Sequence, residues 1–175
     1  MVPDGCPWTI VLGIDPGTLV VGYGAIVVRP EGPALLAAGV IRASRNAEVP
    51  TRLGHIRQEL DEVLRRLKPD VVAVEQAFAG ANIASALRIG EGRGVALSAA
   101  ACFGARIVQF PPAVAKRTLV GNGGADKTQV ARMVGAELGL DVDAEGQPTS
   151  LDATDALALA LTYVHKSRLT GRLGP

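Results

Sequence analysis

The feature that most constrains this chain is a change of rhythm in its apolar residues after position 42. From Thr9 to Arg42 they come in short, β-branched runs, TIVLGID, GYGAIVV and ALLAAGVIR, separated by Pro16-Gly17 and Pro30-Glu31-Gly32-Pro33. Connections this short join antiparallel neighbours, so three strands in a meander are predicted. Beyond them Leu53, Ile56, Leu60, Val63, Leu64 and Leu67 recur at spacings of three and four, with Pro69 just past the end. That spacing predicts a helix crossing over to a fourth strand, DVVAVE. A helix over about 82–101 and a short strand, RIVQF, closed by Pro111-Pro112, complete a βαβ unit, which implies parallel pairing. There follow a glycine-rich loop (GNGG), a helix over about 127–138, a polar linker (DVDAEGQPTS) and a last helix from 151 to about 169, with a tail expected to fray. The expected fold class is α/β: a mixed five-stranded sheet, three antiparallel strands then parallel ones, flanked by helices.

A chain of 175 residues suffices for one well-buried core and is short for two domains, so a single domain with a core over about 9–169 is expected. Only 3% of residues are aromatic, which leaves Ala, Val and Leu to fill that core. The net charge of +1 argues against a nucleic-acid binder that uses its whole surface, but the charge is uneven. Between Ala79 and Arg132 stand Arg88, Arg93, Arg106, Lys116, Arg117, Lys127 and Arg132 against only Glu91 and Asp126. Such a segment suits either a solvated basic face or phosphate binding. Cys6 and Cys102 have no metal-ligand spacing and are expected as free thiols. The start, MVPDGCPWT, lacks a signal-peptide pattern, and no apolar run approaches the roughly 20 residues that span a bilayer. A cytoplasmic protein with no membrane partner is expected.

Four carboxylates need an explanation. Asp15 and Glu75 close apolar strands, and Asp152 and Asp155 open the helical run LDATDALALALTYV. Each has an ordinary account. Asp-Pro-Gly initiates turns; a strand-end Glu is commonly solvated; acidic residues in a first helical turn complement the dipole, with Thr149 or Ser150 as the N-cap. Together they say more. The ends of strands in open α/β sheets are where ligands bind, and residues three apart share a helix face. Two carboxylates about 5 Å apart repel by roughly 3 kcal/mol at an effective dielectric of 20, a penalty that a divalent ion removes. Oxygen ligands without neighbouring His or Cys point to Mg²⁺ or Mn²⁺. Two such ions are a known device for in-line attack of water on a phosphodiester.

The segments VLGIDPG with GYG, VAVEQAF, LRIGEGRGVA, KRTLVGNGGADKTQV and DATDALALALT resemble, in the same order, those of the RuvC family of Holliday junction endonucleases. The resemblance runs from about Thr9 to His165. It implies a ribonuclease H-like fold, and metal-dependent, paired cleavage of a four-way DNA junction in recombination and repair. By position it implies that Asp15, Glu75, Asp152 and Asp155 bind two Mg²⁺ or Mn²⁺ ions per subunit. It also implies that Lys116 and Lys127 engage phosphate beside them, with Lys127 acting in catalysis. Phe78 matches an aromatic used near the junction centre, Gln76 adjoins it, and Arg88 is assigned to DNA with them. The family is homodimeric, and Ala86, Gly90 and Gly94 form a small-residue stripe that suits a dimer interface. A RuvA–RuvB branch-migration complex is implied as a partner.

The chain departs from that pattern at Leu19, where the family often has a basic residue, and Trp8 has no matching role. Two other readings compete. GIDPGT also resembles the phosphate loop of actin-like ATPases, but those need a second half for which this chain is too short. Ribonuclease H-like nucleases acting on RNA precursors are the runner-up. GNGGADKT is not a P-loop, because Asp126 stands where a second glycine would have to face phosphate.

Overall fold

The computed structural model describes residues 8–76, 83–140 and 150–169. The β-branched runs pair as their spacing demands. β1 (Thr9–Asp15), β2 (Val20–Arg29) and β3 (Gly32–Arg42) form the antiparallel meander. β4 (Val71–Glu75) and β5 (Arg106–Phe110) join in parallel on the other side of β1, giving the order β3-β2-β1-β4-β5. Asp70 fixes the β1–β4 edge, its carboxylate accepting the Ile10 N–H at 2.8 Å.

Helices cover both faces. On one, α1 (Val49–Leu67) and α2 (Ile83–Phe103) set Ile56, Leu60, Leu64 and Ala96, Ala99, Ala100 against Leu12, Ile14, Val21, Val72 and Val74. On the other, α3 (Pro112–Val120), α4 (Lys127–Leu138) and α5 (Leu151–Leu169) set Leu119, Val130, Val134, Leu157 and Leu161 against Val11, Ile26 and Val71. The α4 and α5 spans agree with the spacing. α3 does not: Pro111-Pro112 reads as a stop after β5, yet proline is also at home in a first helical turn, and here it starts a helix that ends on left-handed Gly121. Among the described residues, no helix is long and apolar enough to cross a membrane.

α5 is the unusual element. Every residue from Ala156 to Val164 is buried, so it has no broad polar face there. Its backbone lies directly on the sheet because the sheet has glycines beneath it. Gly13 of β1 pairs with Gly24 of β2, and Asp15 pairs with Gly22. A Cβ on Gly13 would stand 1.8 Å from the Ala156 carbonyl oxygen, and one on Gly22 would stand 2.0 Å from that of Asp152. No side chain fits in that space, so the helix contacts the sheet backbone and not a layer of side chains above it.

Gly13→Ala is expected to destabilise the protein by about 3 kcal/mol or more, since the clash is with backbone that cannot rotate away. Gly54→Ala, in exposed α1 with nothing within 4 Å of the added methyl, is expected to stabilise by about 0.5–1 kcal/mol. Urea denaturation of both variants checks the pair; a Gly13→Ala protein as stable as the parent would contradict the backbone contact.

Candidate active site

Strand parity decides where the first two carboxylates go. Asp15 is in phase with Val11 and Gly13, and Glu75 with Val71 and Ala73, so both project onto the face covered by α3, α4 and α5. Ile14 pairs with Val74 in the parallel ladder, so Asp15 and Glu75 close neighbouring strands one residue further on. α5 supplies the other two. Its start is fixed by Ser150, whose Oγ accepts the Ala153 N–H at 3.3 Å, and the glycine seat holds Asp152 over Gly22, the partner of Asp15. Asp155 follows one turn later. Asp15, Glu75 and Asp155 line one open cleft of about 250 Å³ with Lys116 of α3 and Lys127 of α4, over Ala115, Val130, Ala158 and Leu159. Asp152 is not part of that lining but is near enough to act electrostatically on Asp15 and Lys127.

The electrostatics show a cluster short of positive charge. Burial, reinforced by Glu75, Asp155 and Asp152 and opposed by Lys127, pushes Asp15 up to about 7. Burial and Asp155 also raise Glu75, against the pull of Lys127 and Lys116. Lys127 Nζ donates to Asp155 Oδ2 at 2.5 Å, and this bond above all holds the ammonium protonated to higher pH than usual. Its position is notable. Asp126 caps α4, accepting the Gln129 N–H at 2.8 Å in a capping box, which makes Lys127 the first helical residue. A cation there opposes the helix dipole, so local helix energetics do not account for it. Asp126 thus serves a helix start, and the segment is no P-loop.

The donor set is entirely carboxylate oxygen, which suits a hard divalent cation. Among the described residues, no three His, Cys, Asp or Glu side chains are already gathered into an ion-holding group, and Asp155 is engaged with Lys127. Gln76 is exposed at the end of β4, where its N–H donates to the Phe110 carbonyl at 2.8 Å. Arg88 is exposed on α2, apart from the cleft lining. Phe78 lies outside the described residues, as do Cys6 and Thr149; Cys102 is exposed and free.

Sequence reasoning counted Arg93 only as a charge. In the structure its Nε donates to the Glu75 carbonyl at 3.2 Å, and its terminal nitrogen bonds Gln109 Oε1, tying the ends of β4 and β5 to α2. α2 also approaches the turn after Asp15, where a Cβ on Gly92 would meet the Gly17 carbonyl oxygen at 2.6 Å. Nothing in the local pattern marks either contact, because both partners are distant in sequence.

With this geometry in hand, the resemblances to known proteins are specific. The family model for crossover junction endodeoxyribonuclease RuvC matches residues 11–163. The crossover junction endodeoxyribonuclease RuvC of Solidesulfovibrio magneticus is 41% identical over 165 residues, covering 94% of this chain and 95% of that protein. The structure of Thermus thermophilus RuvC superposes with a TM-score of 0.80 at 34% identity, covering 93% of this chain and 97% of that one. The T. thermophilus protein in complex with Holliday junction substrate gives 0.79 at 33%, covering 92% and 96%. The fold is therefore ribonuclease H-like, as the family resemblance implied, and neither the RNA-processing nor the actin-like reading is favoured. From strand order to overall sequence, the observations agree that this chain belongs to the RuvC family of crossover junction endodeoxyribonucleases.

Proposed function

We propose that this chain resolves Holliday junctions, with Asp15, Glu75, Asp152 and Asp155 holding Mg²⁺ or Mn²⁺, two ions per subunit, at the ends of β1 and β4. The observation that carries the reading is the half-buried Asp15, pushed up to about 7 beside Glu75 and Asp155, in a cleft that among the described residues is lined by two cations, Lys116 and Lys127. A cluster so arranged gains most from added positive charge. Divalent ions bound there supply an activated water and a counter-charge for the leaving oxygen.

The chain's own residues do the rest. Asp15 and Glu75, set on neighbouring strands, would be the strand-borne donors to such ions, and Asp155, which accepts from Lys127 Nζ, would be a donor from α5. Lys127 and Lys116, which line the same cleft, are placed to stabilise the negative charge that develops on the scissile phosphate. Gln76, exposed beside Glu75, hydrogen-bonds DNA; Phe78 is assigned to base stacking at the junction centre on the resemblance alone. Arg88 contributes a phosphate contact away from the cleft.

A homodimer supplies the two symmetric cuts. Leu87, Gly90 and Gly94 share one face of α2; Leu87 is 65% exposed, and a Cβ on either glycine would meet nothing within 4 Å. The helix's close intramolecular contact is made by Gly92 instead, so the stripe remains available for a second copy.

Labelled four-way junction, linear duplex and RNA hairpin, each with Mg²⁺ or Mn²⁺, test the activity; paired nicks confined to the junction are expected. Asp152→Asn should abolish cleavage while leaving junction binding intact, and retained cleavage at saturating metal would remove Asp152 from the site. Lys127→Ala should lower the cleavage rate more than the affinity; equal loss of both would reduce Lys127 to a simple phosphate contact.

The raised Asp15 sets a pH dependence. Its folded-state value exceeds its unfolded value near 4, so the metal-free fold binds this proton more tightly than the unfolded chain does. That contribution is fully present below about pH 4 and is lost as pH rises through about 7. In EDTA, the parent's melting temperature relative to that of Asp15→Asn should therefore fall between these limits, and added Mg²⁺ should raise the parent's more at pH 8 than at pH 5. A difference flat with pH would contradict it. Leu87→Glu/Gly94→Glu should convert the dimer to a monomer by light scattering and replace paired nicks with independent single ones; an intact dimer would move the interface elsewhere.

A further inference from the structure

Among the described residues, the cations lining the carboxylate cleft are Lys116, from α3, which follows edge strand β5, and Lys127, from the start of α4. The β1–β2 turn, toward the β3 edge, carries Leu19 and no basic residue between Asp15 and Val20. A DNA strand crossing the strand ends past the carboxylates would thus lack a cation on its far side, unless one comes from another element.

The sheet register brings one there. Arg42, the last residue of β3, pairs with Val20, and the next residue, Ala43, donates its N–H to the Leu19 carbonyl at 2.9 Å. Ile41 is buried under α1 and α2, so Arg42 projects from the opposite face, the one on which Asp15 and Glu75 stand. α5 begins over Gly22, two residues short of the Val20–Arg42 pair. Among the described residues no helix covers the end of the sheet on this face, and Arg42 is exposed. Arg45 is exposed three residues later in the connection to α1, and neither arginine pairs with a carboxylate among the described residues. Asp15 pairs with Gly22 and Gly22 with Val40, which puts Arg42 two strands across and two residues along, about 12 Å from Asp15. That separation spans a few nucleotides of backbone.

We infer that Arg42, with Arg45 beside it, is a phosphate-binding site for the cleaved strand on the β3 side of the carboxylates, across the sheet order from β5 and the Lys116 helix that follows it. The site supplies the charge that Leu19 does not, and it sets the path of the strand across the ends of β3, β2, β1 and β4. This rests on the junction-cleaving reading above.

The test is equilibrium binding of the full-length protein to a fluorescent synthetic four-way junction in EDTA, which prevents cleavage, across a range of salt concentrations. Arg42→Gln/Arg45→Gln should weaken binding about three- to tenfold at 0.1 M salt and flatten the log–log salt slope by about 2. The corresponding Lys/Lys variant should restore the slope, and Arg65→Gln, at the far end of α1, should leave it unchanged. A neutral methylphosphonate within a few nucleotides of the cut should weaken the parent but not the Gln/Gln variant. An unchanged slope in the Gln/Gln protein overturns the assignment, as does a loss of affinity that no methylphosphonate near the cut reproduces. A parent protein that neither binds nor cuts the junction overturns instead the functional reading beneath it.

Discussion

The backbone-to-backbone contact between α5 and the first hairpin is the interaction on which the rest of the structure depends. Three glycines, Gly13, Gly22 and Gly24, remove the side chains that would otherwise separate helix from sheet. Two consequences follow from the one contact. The helix becomes part of the core, buried continuously from Ala156 to Val164, and its first turn is lowered to the level of Asp15. A side-chain layer of ordinary thickness would lift Asp152 and Asp155 away from the strand ends, so the same glycines that tighten the fold also assemble the carboxylates.

Bringing like charges together in this way is destabilising by itself, and the structure offsets it only in part. Lys127 answers Asp155 from a helix position that its own dipole disfavours, and Lys116 moderates Glu75 from further away. Asp15, desolvated and flanked by the other acidic groups, keeps its proton to near neutrality. The fold thus carries an electrostatic strain at one end that a divalent cation or a proton relieves. Arg93 stiffens the same end from behind by tying β4 and β5 to α2, so the strand-borne donors rest on a braced sheet edge.

Much of this was legible in the chain. Spacing and turn residues gave the five strands, their directions, and the spans of α4 and α5, because both depend on local periodicity. α3 was missed because a proline pair carries opposite meanings after a strand and before a helix, and only the chain's continuation separates them. The four carboxylates could be singled out by type and by their places at element ends. Each also had a bland explanation that no local pattern excluded. The roles of Arg93 and Gly92 were invisible, since their partners, Glu75, Gln109 and Gly17, are joined to them only through the packing of α2.

The sequence by itself determined the element order, the sheet directions and the candidate acidic and basic residues, since periodicity, turn chemistry and residue type are local properties. Strand parity then required Asp15 and Glu75 to share a face. The tertiary structure alone decided that α5 would bring Asp152 and Asp155 to that face, that Lys127 would bond Asp155, and that Arg42 would be left exposed on the β3 side. Those outcomes turn on how closely a helix can approach a sheet, a distance set by glycines and helix residues separated by more than a hundred positions in the chain.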